Sequence, residues 1–417
     1  MAQEVLISSA AAPLGSAVLQ SWGDIFAAWG QVFRHYWAVA LVSLLVTLAA
    51  TPVVRRIALK RGIVDRPDEF LKPHGRPIPY LGGVAIFAGW LAGILLAPVV
   101  ADREAIGPTL IGVTIAGFAT MLTGLFDDLR FMSPKIKLAC NIGVAVILLA
   151  FGLGDDLINV ITQVTGMTFD RSDRWLELAY SVPITIFIIV GACNATNLID
   201  GLDGLCSGVL GIISLGFVIL AVHLNVAYPD APLANDRVIL ALSMLGAALG
   251  FLPYNVNPAK IFMGDAGSML LGLNAAVLLL MFGEQRIPRW MIGAVMVFGL
   301  PVADMLLTMA RRWRNGRPIM TGDRSHYYDQ LHDRGLSVRR VAAISYLLAL
   351  AFVLVGTSVV FVKTRYTPLV FLITIAVVLG LVWRFDMAGI EHKTALPTRG
   401  AESSRSSKSP ENRSTKC

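Results

Sequence analysis

Apolar residues run through the chain in long blocks. Between positions 35 and 386, stretches of mostly Ala, Val, Leu, Ile, Phe and Gly recur, parted by polar loops. About 20 such residues suffice to cross the hydrocarbon layer of a bilayer. Spans are expected near 35–54, 81–100, 106–126, 137–154, 179–197, 206–226, 236–254, 267–284, 288–309, 340–362 and 367–385. That pattern is an all-α, polytopic integral membrane protein of about eleven transmembrane helices. Three regions follow: an extracytoplasmic N-terminal extension over 1–34, a multi-span domain over 35–386, and a disordered cytoplasmic tail over 387–417. The tail is polar and Ser-rich. The first 30 residues lack the basic start and cleavage pattern of a signal peptide.

Composition agrees with the pattern. The 417 residues are 55% hydrophobic and 15% charged, against roughly 25% charged in soluble domains. A net charge of +7 raises the question of nucleic acid. Membrane proteins, however, keep Lys and Arg in their cytoplasmic loops, so the lipid bilayer is the expected partner and nucleic acid is not. Cys140, Cys193, Cys206 and Cys417 are scattered, which speaks for free thiols and against a zinc site.

Positive charge also orients the spans. The loop after the first carries Arg55, Arg56, Lys60, Arg61, Arg66, Lys72 and Arg76, and the loop between the ninth and tenth carries Arg311, Arg312, Arg314, Arg317, Arg324, Arg334, Arg339 and Arg340. Loops of the other parity hold one or two basic residues, such as Arg103. The N-terminus is therefore expected outside and the tail inside.

Sorting polar residues by side then places four segments on the cytoplasmic face. They are "LFDDLR" with Asp127 and Asp128, "NATNLIDGLDGL", "NVNPAKIFMGDAGS" with Asn255, Lys260 and Asp265, and "TGDRSHYYDQL" with Asp323, Arg324 and His326. Asp-Gly is a turn signal, so "IDGLDG" can be read as two polar turns ending a helix. Alternatively, Asn194, Asn197, Asp200 and Asp203 step by three and make a polar ridge on a helix, costly beside a membrane unless it binds something. Gly264 and Gly267 would let backbone N–H groups approach an anion. Clustered carboxylates need a cation, and oxygen ligands without a Cys or His cluster favour Mg²⁺ over zinc. Lys135, Lys137, Arg311, Arg312 and Arg324 could hold phosphates. Metal, cations and phosphates together suggest phosphoryl transfer between a soluble nucleotide donor and a lipid acceptor.

Six motifs, in order, are "KPHGRPIPYLGG", "GLFDDLRFMSPKIKL", "NATNLIDGLDGL", "NVNPAKIFMGDAGS", "GLPVAD" and "DRSHYYDQLHDRGLS". With them the chain resembles the bacterial polyprenyl-phosphate N-acetylhexosamine-1-phosphate transferases, the WecA/TagO-like branch of the superfamily that includes the MraY type. The resemblance implies transfer of a HexNAc-1-phosphate, foremost GlcNAc-1-phosphate, from a UDP-HexNAc to undecaprenyl phosphate. UMP is released, as the first membrane step of a cell-envelope glycan pathway. It implies a multi-pass protein of the bacterial inner membrane with its active site on the cytoplasmic side. Mg²⁺ is the implied cofactor, with Mn²⁺ as the substitute ion, and a homodimer is compatible with it.

By the same resemblance Asp127 and Asp128 are the catalytic pair, activating the lipid phosphate or assisting the metal. Asp265 is the main metal ligand, with Asp200 beside it. Asn197, Asp200, Asp203 and Asn255 line the nucleotide-sugar pocket, and Phe262 stacks near uracil. Lys137, Arg311, Arg312, Arg324 and His326 face phosphate. One departure stands out: the family's loop reads roughly "HxHH", and here His326 is followed by Tyr327, Tyr328 and Asp329. A tyrosine can donate a hydrogen bond to phosphate but carries no positive charge.

Two rivals are kept. The phospho-MurNAc-pentapeptide transferases have adjacent histidines and a "TMGG"-like segment where this chain has "SHYYDQL" and "PYLGG". A secondary transporter would place its charges near the midplane between repeated halves, whereas here they cluster at one face. Direct displacement and a covalent aspartyl intermediate both remain open.

Overall fold

A computed structural model describes residues 22–65, 77–101, 106–130, 132–155, 157, 174–284, 287–318 and 326–389. Its helices, in order, are α1 Trp22–Arg61, α2 Gly82–Ile94, α3 Ala97–Val100, α4 Pro108–Leu129, α5 Pro134–Ala150, α6 Arg174–Leu198 and α7 Leu205–Ala227. After them come α8 Ala234–Asn255, α9 Gly264–Gly283, α10 Pro288–Val297, α11 Gly299–Arg314, α12 Tyr327–Asp333, α13 Val338–Val359 and α14 Thr367–Arg384. Two short antiparallel strands, β1 Val64–Asp65 and β2 Ile78–Pro79, pair beside α1.

Nine helices among the described residues are long and apolar enough to cross a membrane, or up to ten if α10 and α11 form one span. The all-α membrane architecture holds, and most edges fall within a few residues of the apolar runs. Three details differ. The first helix starts at Trp22, well before 35, and its 40 residues reach about 60 Å at 1.5 Å per residue. The expected span at 137–154 is the 17-residue α5, about 26 Å long. The expected span at 288–309 is bent by 68° between Val297 and Gly299. Its cause is local: Pro301 has no N–H for the carbonyl of Val297, so the ladder restarts, and a proline is tolerated in the first turn of the new helix.

The centre of the bundle is α9, buried from Ala266 through Gly283. It is apolar on every side, as a helix enclosed by others must be, and α2, α4, α6, α7, α8 and α10 pack around it. Mid-helix, the Trp90 indole donates to Asn274 Oδ1 at 2.6 Å, so a polar pair satisfies itself inside the core. By contrast α14 is exposed along nearly its whole length, as a lipid-facing helix is. The enclosed α9 begins with Gly264 and Asp265, so its N-terminus delivers a carboxylate to one end of the bundle.

Candidate active site

Asp128, at the end of α4, faces the start of α9. Its Oδ1 accepts the N–H of Asp265 at 2.9 Å and its Oδ2 that of Ala266 at 3.2 Å. Two orphan amides of the helix end are thus satisfied by an anion that also suits the dipole. Gly264 makes this possible: its φ is +67°, and a Cβ there would strike the Asp128 carboxylate. The expectation that Gly264 and Gly267 let backbone N–H groups approach an anion is met beside Gly264, with a protein carboxylate as the anion. Gly267 is spent on a close crossing with Gly83.

Asp127 turns elsewhere. Its Oδ1 accepts the Met132 N–H at 2.8 Å, and its Oδ2 pairs with Lys137 Nζ at 3.1 Å. Lys137 sits in the first turn of α5, which Ser133 caps through its hydroxyl and Pro134 opens. The same ammonium forms an ion pair with Asp265 Oδ2 and reaches Asn197 Oδ1 at 3.4 Å. Asn197 in turn donates to Asp265 Oδ1 at 2.7 Å and to Ser268 Oγ at 3.3 Å. Asp127, Asp128, Lys137, Asn197 and Asp265, from four helices, are one connected cluster.

Asn194, Asn197, Asp200 and Asp203 do not form a ridge on one helix. The α6 helix ends at Leu198, and 199–204 are turns closed by Gly204 at φ +76°. Two Asp-Gly pairs break the helix there. Asn194 bonds back to the Val190 carbonyl at 2.7 Å. Asp203 Oδ2 accepts from Asn257 Nδ2 and the Ala259 N–H, each at 2.9 Å, and so ties this turn to the loop before α9. Asp200 stays half-buried and accepts no hydrogen bond from a described residue. Burial, with Asp265, Asp128 and Asp203 nearby, holds its carboxyl well above the usual carboxylate range.

Asn255 does not line an open pocket. It is 2% exposed, accepts from Ser207 Oγ at 2.7 Å and the Gly204 N–H at 3.2 Å, and donates to the Ile261 carbonyl. Every polar atom of its amide is used in joining α7 to the α8–α9 loop. Phe262 keeps a half-buried ring. Its backbone is gripped by "PYLGG": the Phe262 N–H donates to the Pro79 carbonyl at 2.9 Å, and Gly82 and Gly83 N–H donate to the carbonyls of Phe262 and Met263 at 3.0 and 2.8 Å. This clamp was not foreseen from the motif.

His326 is buried against α11. Its Nδ1 lies 2.8 Å from Asp304 Oδ2 and 3.2 Å from Thr308 Oγ1. Asp304, the last residue of "GLPVAD", is 2% exposed; the sequence marks it as part of that motif but gives it no role of its own. Arg311 and Arg312 are buried in the last turn of the same helix. Arg311 lies at i+3 and Arg312 at i+4 from Thr308, the spacing of neighbours on one helix face. Arg324 and Asp323 lie outside the described residues. Neither tyrosine is offered to a phosphate. The Tyr328 hydroxyl donates to the Leu198 carbonyl at 2.8 Å and the Tyr327 hydroxyl is buried. Burial pushes both phenols up, so they stay neutral.

Among the described residues no group of three or more His, Cys, Asp or Glu side chains forms a metal cage. That excludes neither ion nor chemistry. Mg²⁺ is usually held by one or two carboxylates plus substrate phosphates, and Asp265 with Asp200, which accepts no hydrogen bond from a described residue, has that composition. Charge, amide and carboxylate at the mouth of a membrane bundle suit a diphosphate, and their place at one end is not a transporter's midplane site.

Comparisons agree. Residues 110–283 match the model of Glycosyl transferase family 4. A probable undecaprenyl-phosphate N-acetylglucosaminyl 1-phosphate transferase of Bacillus subtilis is 34% identical over 355 residues, 82% of this chain and 91% of that protein. A decaprenyl-phosphate N-acetylglucosaminephosphotransferase of Mycobacterium tuberculosis is 32% identical, covering 84% of this chain and 88% of its own. A phospho-N-acetylmuramoyl-pentapeptide-transferase of Staphylococcus aureus is 31% identical over 76% of this chain and 97% of its own. The chain belongs to the bacterial polyprenyl-phosphate N-acetylhexosamine-1-phosphate transferases, as a multi-pass membrane enzyme of the WecA/TagO-like branch.

Proposed function

We propose that the chain transfers GlcNAc-1-phosphate from UDP-GlcNAc to a C55-type polyprenyl phosphate and releases UMP. A lipid phosphate oxygen attacks the β-phosphorus of the donor, and the bond to the bridging oxygen of UMP breaks. The reading rests on one observation above all: Lys137, Asn197 and Asp265 converge where the buried α9 starts, with the Asp200 carboxyl near enough to feel Asp265. Similarity to GlcNAc-phosphate transferases over 82% and 84% of the chain supports the sugar.

Asp265 and Asp200 would hold Mg²⁺ or Mn²⁺, which neutralises charge on the diphosphate when bound. Lys137 is placed to swing from Asp127 and Asp265 onto a phosphate oxygen. The acceptor needs little help to ionise, since the second pKa of a phosphate monoester is about 6. Asp127 then serves chiefly to hold Lys137, and Asp128 to hold α9. Phe262 offers a flat face for uracil. The basic loops argue for a cytoplasmic site on the inner membrane.

Two measurements test this reading. Purified protein is given UDP-GlcNAc, UDP-GalNAc and UDP-MurNAc-pentapeptide with polyprenyl phosphate and Mg²⁺. UDP-GlcNAc should give the highest kcat/KM, and preference for the pentapeptide donor would move the chain to the other branch. Asp265→Asn should abolish transfer while the protein still inserts and melts cooperatively. Turnover like wild type would remove Asp265 from the site.

A further inference from the structure

We propose that Asp304 is the positioning residue for His326: by holding Nδ1 it fixes the ring so that Nε2 is the nitrogen offered to the donor's diphosphate. The inference rests on the transferase reading above and extends it to a residue that reading does not use.

Asp304 is buried inside α11, just past the 68° break. Its two oxygens do different work. Oδ2 meets His326 Nδ1 at 2.8 Å, while Oδ1 accepts the N–H of Tyr327, the next residue, at 3.0 Å. A carboxylate is acceptor-only, so the proton between Asp304 and His326 belongs to Nδ1. That leaves Nε2 as the ring nitrogen for a ligand, the arrangement by which a carboxylate sets the working nitrogen of an imidazole. Thr308 Oγ1, one turn further along α11, contacts the same Nδ1 at 3.2 Å.

The ring's plane is set as well. Tyr328 stacks on His326 with centroids 5.2 Å apart and planes within 3°. Its hydroxyl is anchored on the Leu198 carbonyl, and Gly201 leaves no room for a Cβ against that phenol. A chain of contacts therefore runs from Asp304 through His326 and Tyr328 to the turn that carries Asp200. In this loop the tyrosine stands in for a histidine not as a phosphate ligand but as a wall that orients the remaining one.

The rival is that the Asp304–His326 pair only packs α12 on α11. Substituting Asp304→Asn separates the two. The Tyr327 N–H claims the amide oxygen, so the amide NH₂ is turned toward Nδ1 and drives the ring proton to Nε2. ¹⁵N spectra of histidine-labelled protein at pH 8, assigned by subtraction of His326→Gln, should show Nδ1 protonated in wild type and Nε2 protonated in Asp304→Asn. Transfer should fall about 10- to 100-fold in kcat/KM for the donor, the usual cost of removing a group that orients an imidazole. In a His326→Ala background the same substitution should cost less than twofold, because its effect passes through that ring. An unchanged tautomer, or losses that multiply in the double variant, would overturn the assignment. The spectra need no turnover, so they decide the positioning role even if the donor proves not to be a UDP-sugar.

Discussion

Asp128 accepts the backbone N–H groups of Asp265 and Ala266, at 2.9 and 3.2 Å, and so one carboxylate of the "DD" pair holds the helix that carries the site's central carboxylate. In the structure this carboxylate positions the start of α9. Losing an N-terminal cap costs about 1 kcal/mol, more where the amides stay buried. Asp128→Ala should lower the melting temperature in detergent and remove transfer, while Asp128→Asn, which keeps one acceptor oxygen, should melt nearer to wild type. Equal melting of all three proteins would show that the cap does not hold α9.

Gly264 tests the same contact from the other side. A left-handed backbone costs a non-glycine residue about 1–2 kcal/mol, and here the added Cβ also meets the Asp128 carboxylate. Gly264→Ala should cut kcat at least tenfold and lower the melting temperature. A fully active Gly264→Ala enzyme would mean that the loop before α9 can shift without consequence.

Lys137 occupies the space between Asp127 and Asp265 that a bound cation would share. Without the ammonium the two carboxylates repel and attract a metal more strongly. Lys137→Gln should therefore bind Mn²⁺ more tightly than wild type, followed by electron paramagnetic resonance of free Mn²⁺, while transfer falls by an order of magnitude or more. Weaker Mn²⁺ binding together with lost transfer would make Lys137 a support for the metal site instead of its competitor.

The carboxyl of Asp200 is held above its ordinary range by burial and by Asp265, Asp128 and Asp203. Its folded-state pKa thus lies above the unfolded value of about 3.9. A group shifted this way stabilises the fold fully below the unfolded pKa and loses that contribution as pH rises through the folded one. In metal-free buffer with chelator, the melting temperature should fall as pH is raised from the ordinary carboxylate range through that raised pKa, and Asp200→Asn should flatten the slope. Mg²⁺ should restore stability at high pH, since a cation favours the ionised form. A slope unchanged in Asp200→Asn would assign the titration to another group.

Much of this was legible in the chain because a bilayer makes simple demands. Apolar runs of fixed length announce helices, and Asp127, Asn197 and Asp265 gather because each sits at the end of a helix that opens on the same end of the bundle. What stayed hidden depends on atoms rather than residue types. "NATNLID" carries a helical spacing up to Leu198, yet two Asp-Gly turns redirect Asp203 toward Asn257. Asn255 reads like a ligand residue, but its amide is consumed by Ser207, Gly204 and Ile261. Asp304 stood in the motif "GLPVAD" without a role, because its purpose shows only when His326, 22 residues away, folds onto it. The bend at Gly299 and Pro301 that brings α11 to this end also left little trace in hydropathy.

Phosphoryl rather than glycosyl transfer by this enzyme is tested most directly with a doubly labelled donor. Purified protein would be incubated with Mg²⁺, polyprenyl phosphate and UDP-GlcNAc carrying ³²P in the β-phosphate and ¹⁴C in the sugar. Attack at the β-phosphorus sends both labels into the lipid at a 1:1 ratio, beside unlabelled UMP. Lipid bearing ¹⁴C without ³²P, with UDP as the leaving group, would contradict phosphoryl transfer outright.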